Sequence, residues 1–185
     1  MKKLTLLLVV LGLSLIQAQS QSIFSKYGYG LPEHTGSARL LGMGEAGFAL
    51  SDINYLNVAN PATWSNLVQT RIESGIFVTG NRRADANTSS IKGSAQFSGF
   101  SIGFPVYDPY GISFVFGIHP EKGMDYKLQQ KVVDANFTDG GYTAQYSGAG
   151  GLNKLFFGTS YRLPIGLSLG LSFEYIFGSI TTNKE

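Results

Sequence analysis

The chain has 185 residues, a length that corresponds to one or two domains in a soluble protein. Only 14% of the residues are charged, against roughly 25% in globular domains, and 43% are hydrophobic. Such a deficit of charge is typical of transmembrane β-strands, which turn an uncharged face to lipid. The net charge of +2, without a basic stripe, excludes a nucleic-acid-binding protein. The lack of cysteine excludes disulfides, thiol catalysis, cysteine metal sites and a lipid anchor on cysteine.

Residues 1–20 predict a secretory signal peptide. Lys2 and Lys3 form its positive start, residues 4–16 are apolar, and Ala18 and Ser20 offer small residues for cleavage. A transmembrane helix is the alternative, but the apolar stretch is too short to cross a hydrocarbon core of about 30 Å. We therefore expect an exported protein.

From about residue 69 onward, apolar and small or polar residues alternate, which predicts β-strands. The alternation is clearest over residues 166–178, recurs over 94–104 and 111–119, and is weaker over 71–78 and 154–163. The longest segment exceeds the ~9–11 residues that cross a bilayer at a tilt. A soluble β-sandwich would also alternate, but with more charge on its polar face. The predicted fold is therefore all-β, a transmembrane antiparallel β-barrel.

The connections between these strands differ in length. Residues 104–110 and 163–166 form short turns, whereas residues 81–88 and 119–151 form longer and more polar connections, which in bacterial barrels face outward. This predicts five strands, or seven if residues 126–133 and 142–147 form an extra hairpin rather than strand extensions. Because bacterial barrels have even strand numbers, we expect residues 68–185 to be part of a larger, incomplete barrel.

Residues 42–47 match the dinucleotide-binding pattern G-x-G-x-x-G. The match lacks a preceding buried strand and an acidic residue about 20 positions later, so it does not favour a nucleotide site. Asn60-Pro61-Ala62 follows, just before the first predicted strand. Pro61 fixes its own φ and favours an extended Asn60, whose side chain can bond nearby backbone. A simple surface turn is the alternative interpretation of this motif.

In this order, the glycine-rich stretch and the Asn-Pro-Ala motif resemble the start of the FadL-like outer-membrane family. The resemblance implies a fourteen-stranded barrel, of which this chain supplies at most half, that transports long-chain fatty acids and other hydrophobic compounds. It also implies that residues 21–67 fold into the barrel as a hatch. The hatch and ligand-gating residues that it assigns are Gly42, Gly44, Gly47, Asn60, Pro61 and Ala62.

The remaining candidate residues favour no catalytic or metal site. His34 and His119 have no second ligand at a useful spacing for zinc. Glu73 with Glu174, or Asp134 with Asp139, could pair as carboxylates, but the sequence favours solvated or luminal charge. Arg82 and Arg83 are expected on an outer loop, where they could touch lipopolysaccharide phosphates. We expect no enzymatic activity and no cofactor.

Three functions compete on this evidence. The first is passive transport of a hydrophobic small-molecule ligand, such as a long-chain fatty acid, across the outer membrane. The second is an interaction or assembly barrel that serves protein secretion or surface display, with residues 119–151 as its docking surface for a secreted or surface protein. The third is a small structural barrel. In each case the partners include outer-membrane lipid and lipopolysaccharide, and exclude nucleic acid.

Overall fold

A computed structural model describes residues 23–26, 28–34, 37–84, 89–132 and 141–185. The predicted signal peptide, Asp134 and Asp139 lie outside these ranges. Five long strands form an antiparallel sheet in sequence order: β2 (Arg71–Ala84), β3 (Ser89–Tyr107), β4 (Ile112–Val132), β5 (Tyr142–Arg162) and β6 (Ser168–Lys184). A two-residue strand, β1 (Leu31–Pro32), pairs with β4. Within the described ranges β2 and β6 each have one unpaired edge, so the sheet is open.

Among the described residues, helical structure is confined to short pieces. One α-helix, α1, covers Ala38–Gly42, and 3₁₀ helices cover Ile23–Lys26, Pro61–Asn66 and Asp108–Tyr110. Ser37 begins α1, because its side chain accepts a hydrogen bond from the amide of Leu40. Within the described ranges no helix is long and apolar enough to cross a membrane.

The five predicted strands are all present, and each is longer than the alternation indicated. The prediction of a long connection over residues 119–151 is wrong: β4 continues to Val132 and β5 begins at Tyr142, paired residue by residue. The extra-hairpin alternative is therefore also wrong, whereas strand extension is confirmed. The antiparallel ladder satisfies the backbone groups of this largely polar stretch, and the stretch buries Met124, Tyr126 and Ala144. For the same reason Arg82 and Arg83 lie on β2 and not on a loop.

The two faces of the sheet differ sharply in composition. On β4, Ser113, Val115 and His119 are buried, whereas Phe114 and Phe116 between them are exposed. On β3 and β5 the buried positions alternate in the same way and include Ser101 and Ser160, so the covered face carries mainly small and polar residues. The opposite face is uncovered and apolar; on β5 and β6 it exposes Leu155, Phe157, Leu169, Leu171, Phe173, Tyr175 and Phe177. This is the reverse of the polarity of a soluble protein.

Residues 37–70, which we call the cover segment, lie on the polar inner face. Leu56, Trp64 and Leu67 of this segment form the hydrophobic core with Val115 of β4 and Phe156 of β5. The rings of Trp64 and Phe156 are 6.4 Å apart between centroids. The core is therefore formed between the cover segment and the wall, and not between two sheets.

A residue without a side chain permits this packing at the centre of β3. A Cβ on Gly103 would lie 2.6 Å from Leu56 Cδ2, 3.0 Å from Val115 Cγ2 and 3.1 Å from Leu67 Cδ1. Three core side chains thus converge on the space above Gly103, and any larger residue would displace them.

We expect Gly103→Val to lower the free energy of unfolding by about 1–3 kcal/mol, because it overpacks this core. The matched control is Gly80→Val on β2, where a Cβ would meet nothing within 4 Å. Trp64 is the only tryptophan of the chain, so its fluorescence in a urea titration reports the core directly. Equal midpoints for the two variants would show that the cover segment does not pack above Gly103.

Candidate functional site

Asn57 organises the cover segment. Its side chain is fully buried, and its Nδ2 donates to three carbonyl oxygens, those of Gly47 at 2.9 Å, Phe48 at 3.0 Å and Leu50 at 3.1 Å. Its Oδ1 accepts from the amide of Ala59 at 3.1 Å. One side chain thus ties the loop after α1 to the turn that precedes the 3₁₀ helix.

Trp64 fixes the other end of the cover segment. Its indole Nε1 donates to the carbonyl of Asn57 at 2.8 Å, so the ring is satisfied although it is 1% exposed. Beside it, Ser65 Oγ donates to Ser168 Oγ on β6 at 2.9 Å, and Arg162 of β5 donates to the carbonyl of Ser65. These bonds hold the 3₁₀ helix against the last two strands.

The Asn-Pro-Ala motif lies on this helix. Asn60 begins it, with Oδ1 accepting from the amide of Ala62 at 3.2 Å, and Pro61 occupies its first turn. A Cβ on Gly170 of β6 would lie 2.3 Å from the amide nitrogen of Ala62, so the motif rests directly on the sheet. The motif therefore forms a helix cap in contact with the wall, and not a surface turn.

The three predicted glycines lie elsewhere, around α1. Gly42 ends that helix, and Gly44 follows it with a φ of +63°. A Cβ on either would meet nothing within 4 Å, whereas one on Gly47 would lie 2.3 Å from Leu40 Cδ1. Of these glycines, Gly47 lies beside the Asn-Pro-Ala motif, because Asn60 Nδ2 donates to the carbonyl of the next residue, Phe48, at 3.2 Å. Their role in gating a ligand stays a prediction that came from the resemblance alone.

Sequence reasoning missed the two residues that connect these regions, Asn57 and Trp64. Trp64 could have been found from the sequence, because a single large aromatic residue just before the first strand is a candidate for packing against the sheet. Asn57 could not, because its partners lie seven to ten positions earlier in a loop without periodicity.

The cover segment and the sheet enclose a cavity of about 510 Å³. Leu40, Tyr55, Leu56, Val58 and Pro61 line it on the cover side, and Glu73, Ser98, Ser101, His119, Lys154 and Glu174 line it on the sheet side. Glu73 and Glu174, predicted as solvated or luminal charges, border the same cavity. Ser101 is 1% exposed, and its Oγ has no hydrogen-bond partner within the described residues.

The charges at this cavity are compensated. Lys154 Nζ lies 3.1 Å from Glu121 Oε2 and 3.6 Å from Glu174 Oε2, which joins β4, β5 and β6 through one ammonium group. Glu73 accepts a hydrogen bond from the amide of Leu56 at 2.8 Å. The described residues contain no group of three or more histidine, cysteine, aspartate or glutamate residues placed to hold a metal ion.

A second feature of the site is a gap in the sheet. The ladder between β3 and β4 ends at the pair Phe100 and Ile118. Beyond it, β3 stays paired only with β2, and β4 stays paired with β5. His119 stands at this point, with Nδ1 2.8 Å from the carbonyl oxygen of Ser98. The residue after Ser98, Gly99, has a φ of +111°, and a Cβ there would lie 2.3 Å from His119 Nδ1.

Residues 23–26 and 28–34, which we call the strap, lie at this gap. β1 pairs with Lys122 and Gly123, and the amide of Glu33 donates to the carbonyl of Glu121 at 3.1 Å. Because β5 occupies one edge of β4 throughout, the strap must use the edge that β3 leaves. The ring of His34 in the strap also contacts the ring of Phe77 on β2, with 5.9 Å between the two centroids.

The whole chain, residues 1–185, matches the family model of BamG. The chain belongs to the BamG family. This family is related to the Bam complex and implies association with the outer membrane. No curated protein and no solved structure matches the chain.

The family corrects the resemblance to FadL-like proteins, which is wrong. The glycine-rich stretch and the Asn-Pro-Ala motif are explained by local needs, namely a short helix end and a helix cap pressed against a strand. Any segment that packs closely on a β wall has these needs, so the motifs do not identify one family. Transport of fatty acids loses its support with the resemblance, and the alternative, an assembly-related outer-membrane protein, is favoured.

We expect Asn57→Asp to destabilise the cover segment by about 1–3 kcal/mol, because it removes the donor and places a carboxylate against three carbonyl oxygens. Asn60→Asp is the matched control, since aspartate keeps the oxygen that caps the helix and loses one exposed bond, that of Nδ2 to the carbonyl of Phe48, against three at Asn57. A red shift of Trp64 fluorescence at lower urea in Asn57→Asp, with Asn60→Asp close to the native protein, is the expected result. Similar shifts in both variants would contradict the role of Asn57.

Burial raises the pKa of Glu33 above its ordinary value of 4.5. The strap therefore binds more protons when it is paired with β4 than when it is released. The free energy that holds it on β4 falls as the pH rises above about 4.5, where the released carboxyl loses its proton first. We expect exchange of the Glu33 amide with deuterium, corrected for the intrinsic rate, to quicken across this pH range in the native protein. In Glu33→Gln the corrected rate should be flat; an unchanged pH dependence would place its cause elsewhere.

Proposed function

We propose that this protein is a membrane-embedded partner of the Bam complex, the outer-membrane assembly machinery, and that it has no enzymatic activity of its own. The observation that carries the proposal is the reversed polarity of the sheet in a member of the BamG family. The family supports the assembly role, and the polarity supports a position within the membrane.

The uncovered face of the sheet fits lipid. Its apolar side chains form one continuous surface over β4, β5 and β6, and on β6 they recur at every second residue from Leu169 to Phe177. Soluble monomers rarely expose patches larger than a few hundred Å², because such surfaces aggregate. Toward lipid, the same surface is favourable, and the backbone groups between the strands are already paired.

One end of this apolar surface carries a group of stacked tyrosines. Tyr110, in the turn between β3 and β4, stacks on Tyr107 at 5.6 Å and on Tyr161 of β5 at 5.9 Å between ring centroids. All three rings are exposed. Aromatic rings with a polar tip concentrate at the interface between lipid and water, so this group supports a membrane boundary at the short-turn end of the sheet.

The inner face of the sheet supports a protein without a wide channel along that face. The cover segment occupies it, and the ion pairs of Lys154 compensate the charge that remains. The part of the chain predicted as a docking loop forms the paired ends of β4 and β5. A protein partner would therefore meet the paired ends of two strands.

The proposal is tested by purification of the affinity-tagged protein from outer membranes in mild detergent, with the subunits of the Bam complex quantified by mass spectrometry. We expect these subunits to be enriched over a tagged outer-membrane barrel of unrelated family at equal expression. Depletion of the protein should also lower the yield of other folded outer-membrane proteins. Enrichment no greater than that of the control barrel, with normal yields after depletion, would refute the assembly role.

We expect Phe173→Arg to impair insertion, because arginine near the middle of the bilayer costs about 2–4 kcal/mol on a lipid-facing strand. Thr181→Arg is the matched control on the same face of β6, beyond the apolar surface and toward the strand end. Insertion is measured by urea-dependent folding of the purified chain into vesicles, followed through Trp64. If both variants insert like the native protein, the uncovered face of β6 does not contact lipid.

A further inference from the structure

We propose that the gap between β3 and β4 is an acceptor site for a β-strand of a partner polypeptide carrying acidic side chains, and that the strap occupies this site until the partner displaces it. This inference names a partner surface for the proposed function and depends on it only for the origin of the strand. The recognition itself follows from backbone pairing and charge.

The gap offers two strand edges that face the same space. Beyond the pair Phe100 and Ile118, residues 89–99 of β3 and residues 119–132 of β4 form no ladder with each other, while each keeps its other neighbour. Within the described residues the only strand that pairs at this edge of β4 is the two-residue β1. An edge of this length with so little pairing is a template for strand addition.

The strap shows that this edge accepts an extended chain. Leu31 and Pro32 pair with it in antiparallel register, and the amide of Glu33 continues the ladder by one bond. Its hold on the edge is short, because the preceding residues 23–26 turn into a 3₁₀ helix, from which Ser25 Oγ reaches the carbonyl of Asp125 at 3.4 Å. A longer strand would form more backbone bonds than the strap does, and could therefore replace it.

The strap lies very close to β4 at Gly30, so a substitution at this residue can weaken the pairing of the strap. Gly30 has a φ of +86°, and a Cβ there would lie 2.4 Å from the carbonyl oxygen of Gly123. The strap reaches the edge only because residue 30 has no side chain. Any larger residue at this position must push it away from β4.

The charge at the open part of the edge selects the partner. Lys127 and Lys131 are exposed on β4, and the residues between them carry no acidic group. Lysine on a strand edge opposes pairing with apolar or basic strands, since it would be left without a counter-charge. A strand with glutamate or aspartate at alternate positions would supply that charge across the new pair.

The test fixes the strap with an engineered disulfide. The chain has no cysteine of its own, so no other disulfide can form within it. The variant with Pro32→Cys and Lys122→Cys joins the paired residues of β1 and β4 and fixes the strap. The control variant, Ala149→Cys with Thr181→Cys, joins paired residues of β5 and β6, outside the acceptor edge, and leaves the strap free. Both pairs lie at the separation that antiparallel partners share with disulfides.

The probe is a fluorescein-labelled ten-residue peptide that alternates threonine or valine with glutamate, compared with the same peptide carrying lysine for glutamate. Binding to the purified full chain in detergent is followed by fluorescence anisotropy. We expect the acidic peptide to bind the reduced protein and the control lock alike, and to bind the oxidised strap lock more weakly by a factor on the order of ten. Gly30→Val should tighten its binding, and Lys127→Glu with Lys131→Glu should transfer the preference to the basic peptide.

Equal binding of the acidic peptide with the strap locked or released, or equal binding of both peptides to the native protein, would overturn the inference. Co-purification of the strap-locked protein with the Bam complex is measured in parallel. If the complex still co-purifies while peptide binding ignores the lock, the acceptor site is refuted and the proposed function stands. If binding depends on the lock but no Bam subunit co-purifies with the native protein, the acceptor site stands and the proposed function fails.

Discussion

Trp64 reaches the wall of the sheet because the strands carry no side chain where its ring arrives. A Cβ on Gly158 would lie 2.9 Å from the ring atom Cζ3, and one on Gly170 would overlap the backbone of Pro61 and Ala62. This closeness lets a single layer of side chains form the whole hydrophobic core. With larger residues on the inner face, the cover segment would stand off and the strands would lose their apolar contacts with Leu56, Trp64 and Leu67. The apolar residues are thereby left for the opposite face.

The sequence carried enough information for the strands and their faces, and too little for their ends and for the family. Alternation over residues 166–178 predicted which side of β6 is apolar, because a strand displays its pattern with a period of two. The same rule failed over residues 119–151, where polar residues interrupt the alternation although Met124, Tyr126 and Ala144 are buried. The role of Asn57 was out of reach, since it depends on how a loop folds back. The Asn-Pro-Ala motif was located correctly, but a helix cap against a strand is too general a need to identify a family.

The gap between β3 and β4 has a local cause in the register of β3. Gly75 pairs with Gly99 and Ile76 pairs with Phe97, so Ser98 is an extra residue opposite β2. Such a bulge bends its strand and turns one carbonyl out of the ladder. That carbonyl meets His119, whose ring takes the place of a backbone partner just where β4 and β3 separate. The two hairpins β2–β3 and β4–β5 are thus joined at the short-turn end and independent at the other, and the strap is the connection between them.

The contacts between Ser65 and Ser168, and between Arg162 and Ser65, have a consequence for the order of synthesis and folding. These residues are about a hundred positions apart, so the helix that is translated early waits for the strand that is translated late. Each hairpin of the sheet is local and can pair as soon as it emerges, whereas docking of the 3₁₀ helix on β6 closes a loop of about a hundred residues. The entropic cost of closing that loop delays the docking step. Until then the apolar side chains of Leu56, Trp64 and Leu67 lack their partners on the strands. The part of the chain that is synthesised first would therefore be the part that completes the native structure.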